Sequence, residues 1–123
     1  MAALRLTLRR AQRLKQSREF SRVRQAGQRL VQGCMIANWQ PAAPGASTRL
    51  GVVTSGKLGN AVVRARARRL LRESFRLHQH ELARPVELVL VARPSITRCT
   101  FAQVEKDFLT TVRKAGLISA GSN

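Results

Sequence analysis

The stretch Arg49-Leu50-Gly51-Val52-Val53-Thr54-Ser55-Gly56-Lys57-Leu58-Gly59-Asn60-Ala61-Val62-Val63-Arg64 begins with the pattern of a strand and ends with that of a helix. Leu50, Val52 and Val53 carry the β signal over Arg49 to Ser55, and Gly51 leaves room for another backbone or a ligand to come close. Gly56 and Gly59 bracket a turn. From Asn60 the apolar residues recur at ~100° per residue, with Val63, Ala67, Leu70, Leu71, Ser74 and Leu77 in one stripe, which predicts the longest helix of the chain. Pro85 closes the connection after it, and Val86 to Ala92 has the β-branched content of a buried strand.

Working outward, Cys34 to Trp39 fits a strand, with a short extra strand near Leu30 to Gln32, and Pro41, Pro44 and Gly45 punctuate the loop to Thr48. Ser17 can cap a short helix in which Phe20 and Val23 share a face, and Gly27 stands where a helix commonly stops in the left-handed conformation. Thr100 and Gln103 form a capping box for a last helix whose apolar face is Phe101, Val104, Phe108 and Val112, closed by Gly116. The order helix, strand, strand, helix, strand, helix predicts an α/β (α+β) two-layer sandwich, a small central sheet of three or four strands with three helices. Residues 1–16 read as a flexible basic arm, 17–117 as a single domain and 118–123 as a C-terminal tail.

Composition narrows the function. Of 123 residues, 23 are Lys or Arg and six are acidic, and a net charge of +17 on so small a domain calls for a polyanionic partner. The longest apolar run, Leu88 to Ala92, is far too short to span a bilayer, so no membrane role is expected. The basic N-terminus has no apolar core of the secretory kind, and the expected location is the cytoplasm. Cys34 and Cys99 are too few and too far apart for a disulfide framework or a zinc site and read as small buried hydrophobes. His78 and His80 flank Gln79 at a helix end, where side chains two apart diverge, and are expected in solvent rather than on a metal.

The long helix divides packing from recognition. Arg68, Arg69, Arg72 and Arg76 lie opposite its apolar stripe, Arg64 and Arg66 lie at its margins, and Glu73 is the one acid among them. Guanidinium forks donate paired hydrogen bonds to phosphate and stay charged near neutral pH. An ordinary solvated helix face alternates acids with bases for i,i+4 pairing, whereas this one mostly repels itself, which favours a polyanion. The face lacks the Asn and Gln that pair with adenine edges, so backbone and shape recognition fit better than sequence-specific DNA reading. The six acids, Glu19, Glu73, Glu81, Glu87, Glu105 and Asp107, form no recognisable catalytic set, and no catalytic residue is assigned to the chain.

Residues 49–73 resemble the signature of the bacterial ribonuclease P protein family: Arg-Leu-Gly, two apolar residues, a basic turn, Gly-Asn-Ala-Val, then an arginine-rich helix. The likeness extends through Arg13-Leu14, Phe20, Val23 and Gly27 to Val89–Arg93, from residue 13 to about 117. Three positions depart from the pattern: Gly56 replaces a Lys, Ala65 replaces the Asn between two arginines, and Arg24 stands where some relatives have a second aromatic. The resemblance implies an RNA-binding subunit that helps a catalytic RNA remove the 5′ leader of precursor tRNA. It further implies that hydrolysis is done by the RNA with bound Mg²⁺, none being held by the protein alone, and that the β-α-β crossover is left-handed, against the usual hand. On this reading Lys57, Asn60, Arg64, Arg66, Arg68, Arg69, Arg72 and Arg76 face the catalytic RNA, and Arg13, Phe20, Arg24 and Trp39 face the leader. Phe20 serves equally well as a stacking platform or as the core anchor of a short helix. No obligate protein partner is expected. A basic ribosomal protein or a histone-like DNA-binding protein shares the size and charge, but neither gives a reason for the Gly-Asn-Ala-Val-Val-Arg junction.

Overall fold

In the computed structural model, which describes residues 12–118, the chain runs α1 (Ser17–Ala26), β1 (Gln28–Gln32), β2 (Met35–Pro41), β3 (Arg49–Val53), α2 (Ala61–His78), β4 (Val86–Ala92) and α3 (Phe101–Lys114), joined by turns and short 3-10 segments. The strands form one sheet in the order β1-β2-β4-β3. β1 with β2 and β2 with β4 are antiparallel, while β3 and β4 are parallel and joined through α2. The extra strand near residue 30 is real and extends from Gln28, because it pairs residue by residue with β2.

The pleat sorts side chains between two unlike faces. Met35, Ala37, Trp39, Leu50, Val86, Leu88, Leu90 and Ala92 point to one side, where Ala67, Leu71 and Phe75 of α2 and Val104, Phe108 and Val112 of α3 close the main core. Phe75 and Phe108 meet edge-on with centroids 6.5 Å apart. Truncating a ring as buried as Phe75 costs about 3–5 kcal/mol. The buried side of α2 is Ala67, Leu71, Ser74 and Phe75, so the stripe is rotated from the expected one. Phe75 belongs in it, and Leu70 and Leu77 lie at its margins, only partly buried.

Sheet, α2 and α3 make the expected two-layer body, and α1 is added alone on the opposite face. Its apolar footing is small: Leu14, Val23 and Val89 are buried, with Phe20, Val53 and Val91 packed around them. Leu14 belongs to this cluster, its backbone N–H donates to the Leu50 carbonyl at 2.8 Å, and Arg13 bridges to Leu50 beside β3. The chain is therefore docked from Gln12, whose side-chain amide donates to Gln79 Oε1 at 3.0 Å, earlier than the expected arm boundary at 16, and residues 1–11 of that arm lie outside the described residues. At the other end Leu117 and Ile118 are 3% and 4% exposed in the main core, so the domain includes 118. The remaining tail is likewise outside the described residues.

Two expected helix ends are corrected. Ser17 is already helical and Gln16 precedes it as the N-cap; Glu19 turns back to accept the N–H groups of Lys15 and Gln16 at 3.0 and 3.1 Å, fastening the chain just ahead of the first turn. Gly27 is extended rather than left-handed, and glycine is needed there because a Cβ would lie 2.4 Å from the Trp39 carbonyl oxygen. At the start of α2, Gly59 has φ 148°, a region open in practice to glycine alone, and the Asn60 Oδ1 accepts the Val63 N–H at 3.0 Å. The Gly-Asn junction is thus a turn and an N-cap that aim the basic helix. Thr100 and Gln103 form the expected capping box, and Gly116, with φ 74°, ends α3.

Candidate nucleic-acid interface

Among the described residues, one concavity rich in basic side chains lies along α2 and another lies beside α1. The first is a groove of about 460 Å³ lined by Arg13, Ala65, Arg68, Arg69, Arg72, Glu73 and Arg76. Four of the six α2 arginines expected to face RNA meet here. They are joined by Arg13, which the family resemblance set with the leader; docking of residues 13–14 against β3 carries it to this side instead. Burial, followed by the charges of Arg13 and Arg68, pushes the Arg72 guanidinium below its ordinary value. Repulsion of this kind is relieved by an anion. Glu73 is taken up by Arg76, with Oε2 2.5 Å from Nη2, and Arg68 donates to Thr54 Oγ1 at 2.7 Å.

The other expected members of the set lie around this groove. Arg64 donates to the Gly59 carbonyl at 2.9 Å and Arg66 to the Cys99 carbonyl at 2.8 Å, so both brace local backbone. Lys57 is exposed on the turn before α2, and Asn60, also exposed, uses its side-chain oxygen as the cap. Ala65 lines the groove where the family pattern has Asn, so the groove lacks an amide at that point.

The second concavity is a cleft of about 360 Å³ between α1 and the open half of the sheet, lined by Ser21, Arg24, Gln25, Arg29, Ile36, Asn38 and Val91. Alternation along the strands puts Ile36 and Asn38 of β2 and Arg29 of β1 on the same face as α1. Arg24 lines it; Arg29 and Asn38 were missed because only the strand register brings them together, and Gln25 because only the docking of α1 turns it toward them. Phe20 instead lies over Gly51, half-buried in the small cluster beneath α1. Trp39 must be withdrawn from the leader set: it is 6% exposed, in the main core on the opposite face of the sheet.

All six acids of the chain have structural partners. Glu87 of β4 takes Arg22 of α1 at 2.9 Å, Arg49 of β3 at 2.8 Å and the Gln40 amide of β2 at 2.9 Å. Glu19 meets the same Arg49 at 2.7 Å. The Lys15 and Gln16 N–H groups, ahead of Arg49, lower the Glu19 carboxyl to about 2. Asp107 accepts the Cys34 N–H at 3.0 Å, and Cys34 is buried while Cys99 is partly exposed. His78 contradicts the expectation of solvent exposure, because its ring is held between Glu81 at 2.5 Å and Glu105 at 2.7 Å, linking the end of α2 to α3. No group of three or more His, Cys, Asp or Glu among the described residues is arranged to hold a metal. No helix among the described residues is long and apolar enough to cross a membrane.

The chain is similar in sequence and in fold to proteins of one family. The family model described as Ribonuclease P matches residues 8–116. The ribonuclease P protein component of Syntrophomonas wolfei is 35% identical over 111 residues, covering 90% of this chain and 92% of its own. That of Chloroflexus aurantiacus is 36% identical over 117 residues, covering 94% and 86%. Among solved structures, the Staphylococcus aureus RNase P protein superposes with a TM-score of 0.80 at 24% identity, over 88% of this chain and 98% of that one. The Thermotoga maritima protein gives 0.74 at 24% identity, over 83% and 98%.

Proposed function

The chain belongs to the ribonuclease P protein family, as a protein component of that tRNA-processing ribonucleoprotein, and on this premise we propose that its two concavities divide the RNA between them. The arginine groove on α2 binds the catalytic RNA, and the cleft beside α1 takes the single-stranded 5′ leader of precursor tRNA. The observation that carries this reading is the gathering of Arg13, Arg68, Arg69, Arg72 and Arg76 around one groove with a single acid, itself neutralised by Arg76. Phosphate oxygens at that groove would replace guanidinium repulsion with charge-assisted hydrogen bonds. The cleft offers Arg24 and Arg29 for phosphates and Gln25 and Asn38 for sugar or base edges, a mixture suited to single strands of varied sequence.

Phosphodiester hydrolysis then belongs to the RNA and the Mg²⁺ it binds, with this chain holding both RNAs and screening their repulsion. In support, five of the six acidic side chains are engaged at joints between elements, and the sixth, Glu73 on the rim of the groove, is paired with Arg76. The ribosomal and DNA-packaging alternatives have no support beside a family match across residues 8–116. The test is reconstitution: the chain, a bacterial ribonuclease P RNA and precursor tRNA are mixed at low Mg²⁺. Leader removal that neither component gives alone is expected, and its absence over a range of protein concentrations would overturn the proposal.

A further inference from the structure

The α1 helix forms one wall of the cleft, yet little apolar surface holds it there. Of its own residues only Val23 is buried, above Val89 and beside Leu14. A helix so lightly packed depends on its polar links for a fixed height and rotation above the sheet. Those links converge on one carboxylate. Glu87 is the single acid in the four strands, and its side chain is 10% exposed. The pairing register places Arg49 and Gln40 directly beside it on the two flanking strands. Its oxygens accept Arg22 of α1 at 2.9 and 3.1 Å, and Arg49, held at 2.8 Å, reaches on to Glu19 at the start of α1 at 2.7 Å. One residue of β4 thus grips the helix directly and again through Arg49.

We propose that Glu87 is a positioning residue for leader binding: by holding Arg22 and Arg49 it sets where α1 stands over the sheet, and so the width of the cleft. Glu87 does not line the cleft, and it acts without touching RNA. The inference rests on the assignment of the cleft to the leader. It carries a sign that separates it from simple electrostatics. Removing a negative charge near an RNA site strengthens RNA binding if only the field matters. Loss of positioning weakens it, and does so for the leader alone.

The experiment measures binding of leader-bearing precursor tRNA and of mature tRNA to the reconstituted ribonucleoprotein, with wild type, Glu87→Gln, Glu87→Asp and Arg22→Met. Wild type should prefer the leader-bearing substrate. In Glu87→Gln that preference should fall by about 3- to 10-fold, in the lower part of the range expected for coupled neighbours. Affinity for mature tRNA and kcat at saturation should not change, and Glu87→Asp should recover part of the preference. Should Glu87→Gln fail to fold, Glu87→Asp and Arg22→Met decide together. Asp keeps the charge but shortens the grip on Arg22 and Arg49, while Arg22→Met leaves Glu87 paired with Arg49 and Gln40. A leader-specific loss in both supports positioning, and a loss in Arg22→Met alone, which the field explains, overturns it. An unchanged or tighter preference for leader-bearing substrate in the folded variant overturns the proposal, as does an equal loss for both substrates. A wild-type complex with no leader preference overturns the cleft assignment itself, and this inference with it.

Discussion

Gly51→Ala tests whether the Arg-Leu-Gly part of the signature is glycine because an aromatic ring lies on it. A Cβ built at position 51 falls 2.4 Å from Cε1 and 2.6 Å from Cζ of Phe20. Carbon atoms prefer about 3.5–4.0 Å, so the ring must withdraw by roughly 1 Å. It cannot do so alone, since Phe20 sits on α1 between Glu19 and Arg22, which are tied to Arg49 and Glu87. Two effects of opposite sign then compete. Gly-to-Ala exchange in backbone that alanine can adopt stabilises by about 0.4–1 kcal/mol through the unfolded chain. Overpacking a filled site costs about 1–3 kcal/mol. The clash should prevail, with a net loss of about 1–2 kcal/mol and a fall in Tm of roughly 4–10 °C for a domain of this size. Urea and thermal unfolding measure it directly. The decisive arm is Phe20→Leu, whose shorter side chain vacates the contested space: in that background Gly51→Ala should become neutral or stabilising. The same penalty with and without the ring would refute the reasoning, because the clash would then lie elsewhere.

Two further outcomes follow from the charge distribution. Replacing Arg68, Arg69 and Arg72 together by Ala should weaken binding to the catalytic RNA and lower the log-log salt slope by up to about 0.9 for each phosphate no longer neutralised, while removal of the Arg68–Thr54 bond costs folding about 0.5–1.5 kcal/mol; a titration series in KCl with an unchanged slope would remove the groove from the interface. Burial lowers the His78 value, but its pairs with Glu81 and Glu105 raise it further, so the net shift is upward; the stability this gives is complete below the unfolded value of about 6.5 and is lost as pH rises through the folded one, and His78→Gln should flatten unfolding free energy against pH between about 6 and 8.

The strands and helices were legible because each carries a strong local signal: β-branched runs at Val52–Val53 and Val86–Ala92, a helical stripe from Val63, a capping box at Thr100 and Gln103. What the sequence withheld is long-range. Nothing local tells that Trp39 and Asn38, adjacent in the chain, face opposite layers with opposite fates; that depends on which face of the sheet α1 covers. Arg13 read as part of an arm because it is held beside β3 through the backbone bond of its neighbour Leu14 to Leu50, and backbone partners leave no trace in side-chain pattern. The acids looked scattered because their meeting points join residues 19 with 87 and 81 with 105, across a sheet and between two helices. Phe20 was open between stacking and packing for the same reason, since the glycine beneath it is 31 positions away in the chain.

The distribution of partners also accounts for how so basic a domain folds. Six carboxylates cannot balance 23 cations, so where they stand matters more than how many there are. Glu19 and Glu87 hold α1 to the sheet, Glu81 and Glu105 hold His78 between α2 and α3, Asp107 ties α3 to the turn before β2, and Glu73 alone serves the arginine groove. Attraction is concentrated at the joints between elements, and repulsion is left on the surface of α2, where solvent and salt screen it. A polyanion bound there would remove the remaining repulsion and favour the folded arrangement of Arg13 with the α2 arginines over the unfolded chain, since residues 13 and 72 are brought together by the fold alone. On the proposed assignment of this groove, RNA binding and folding are therefore linked, and phosphates seated there stabilise the domain by as much as they prefer the folded state to the unfolded one.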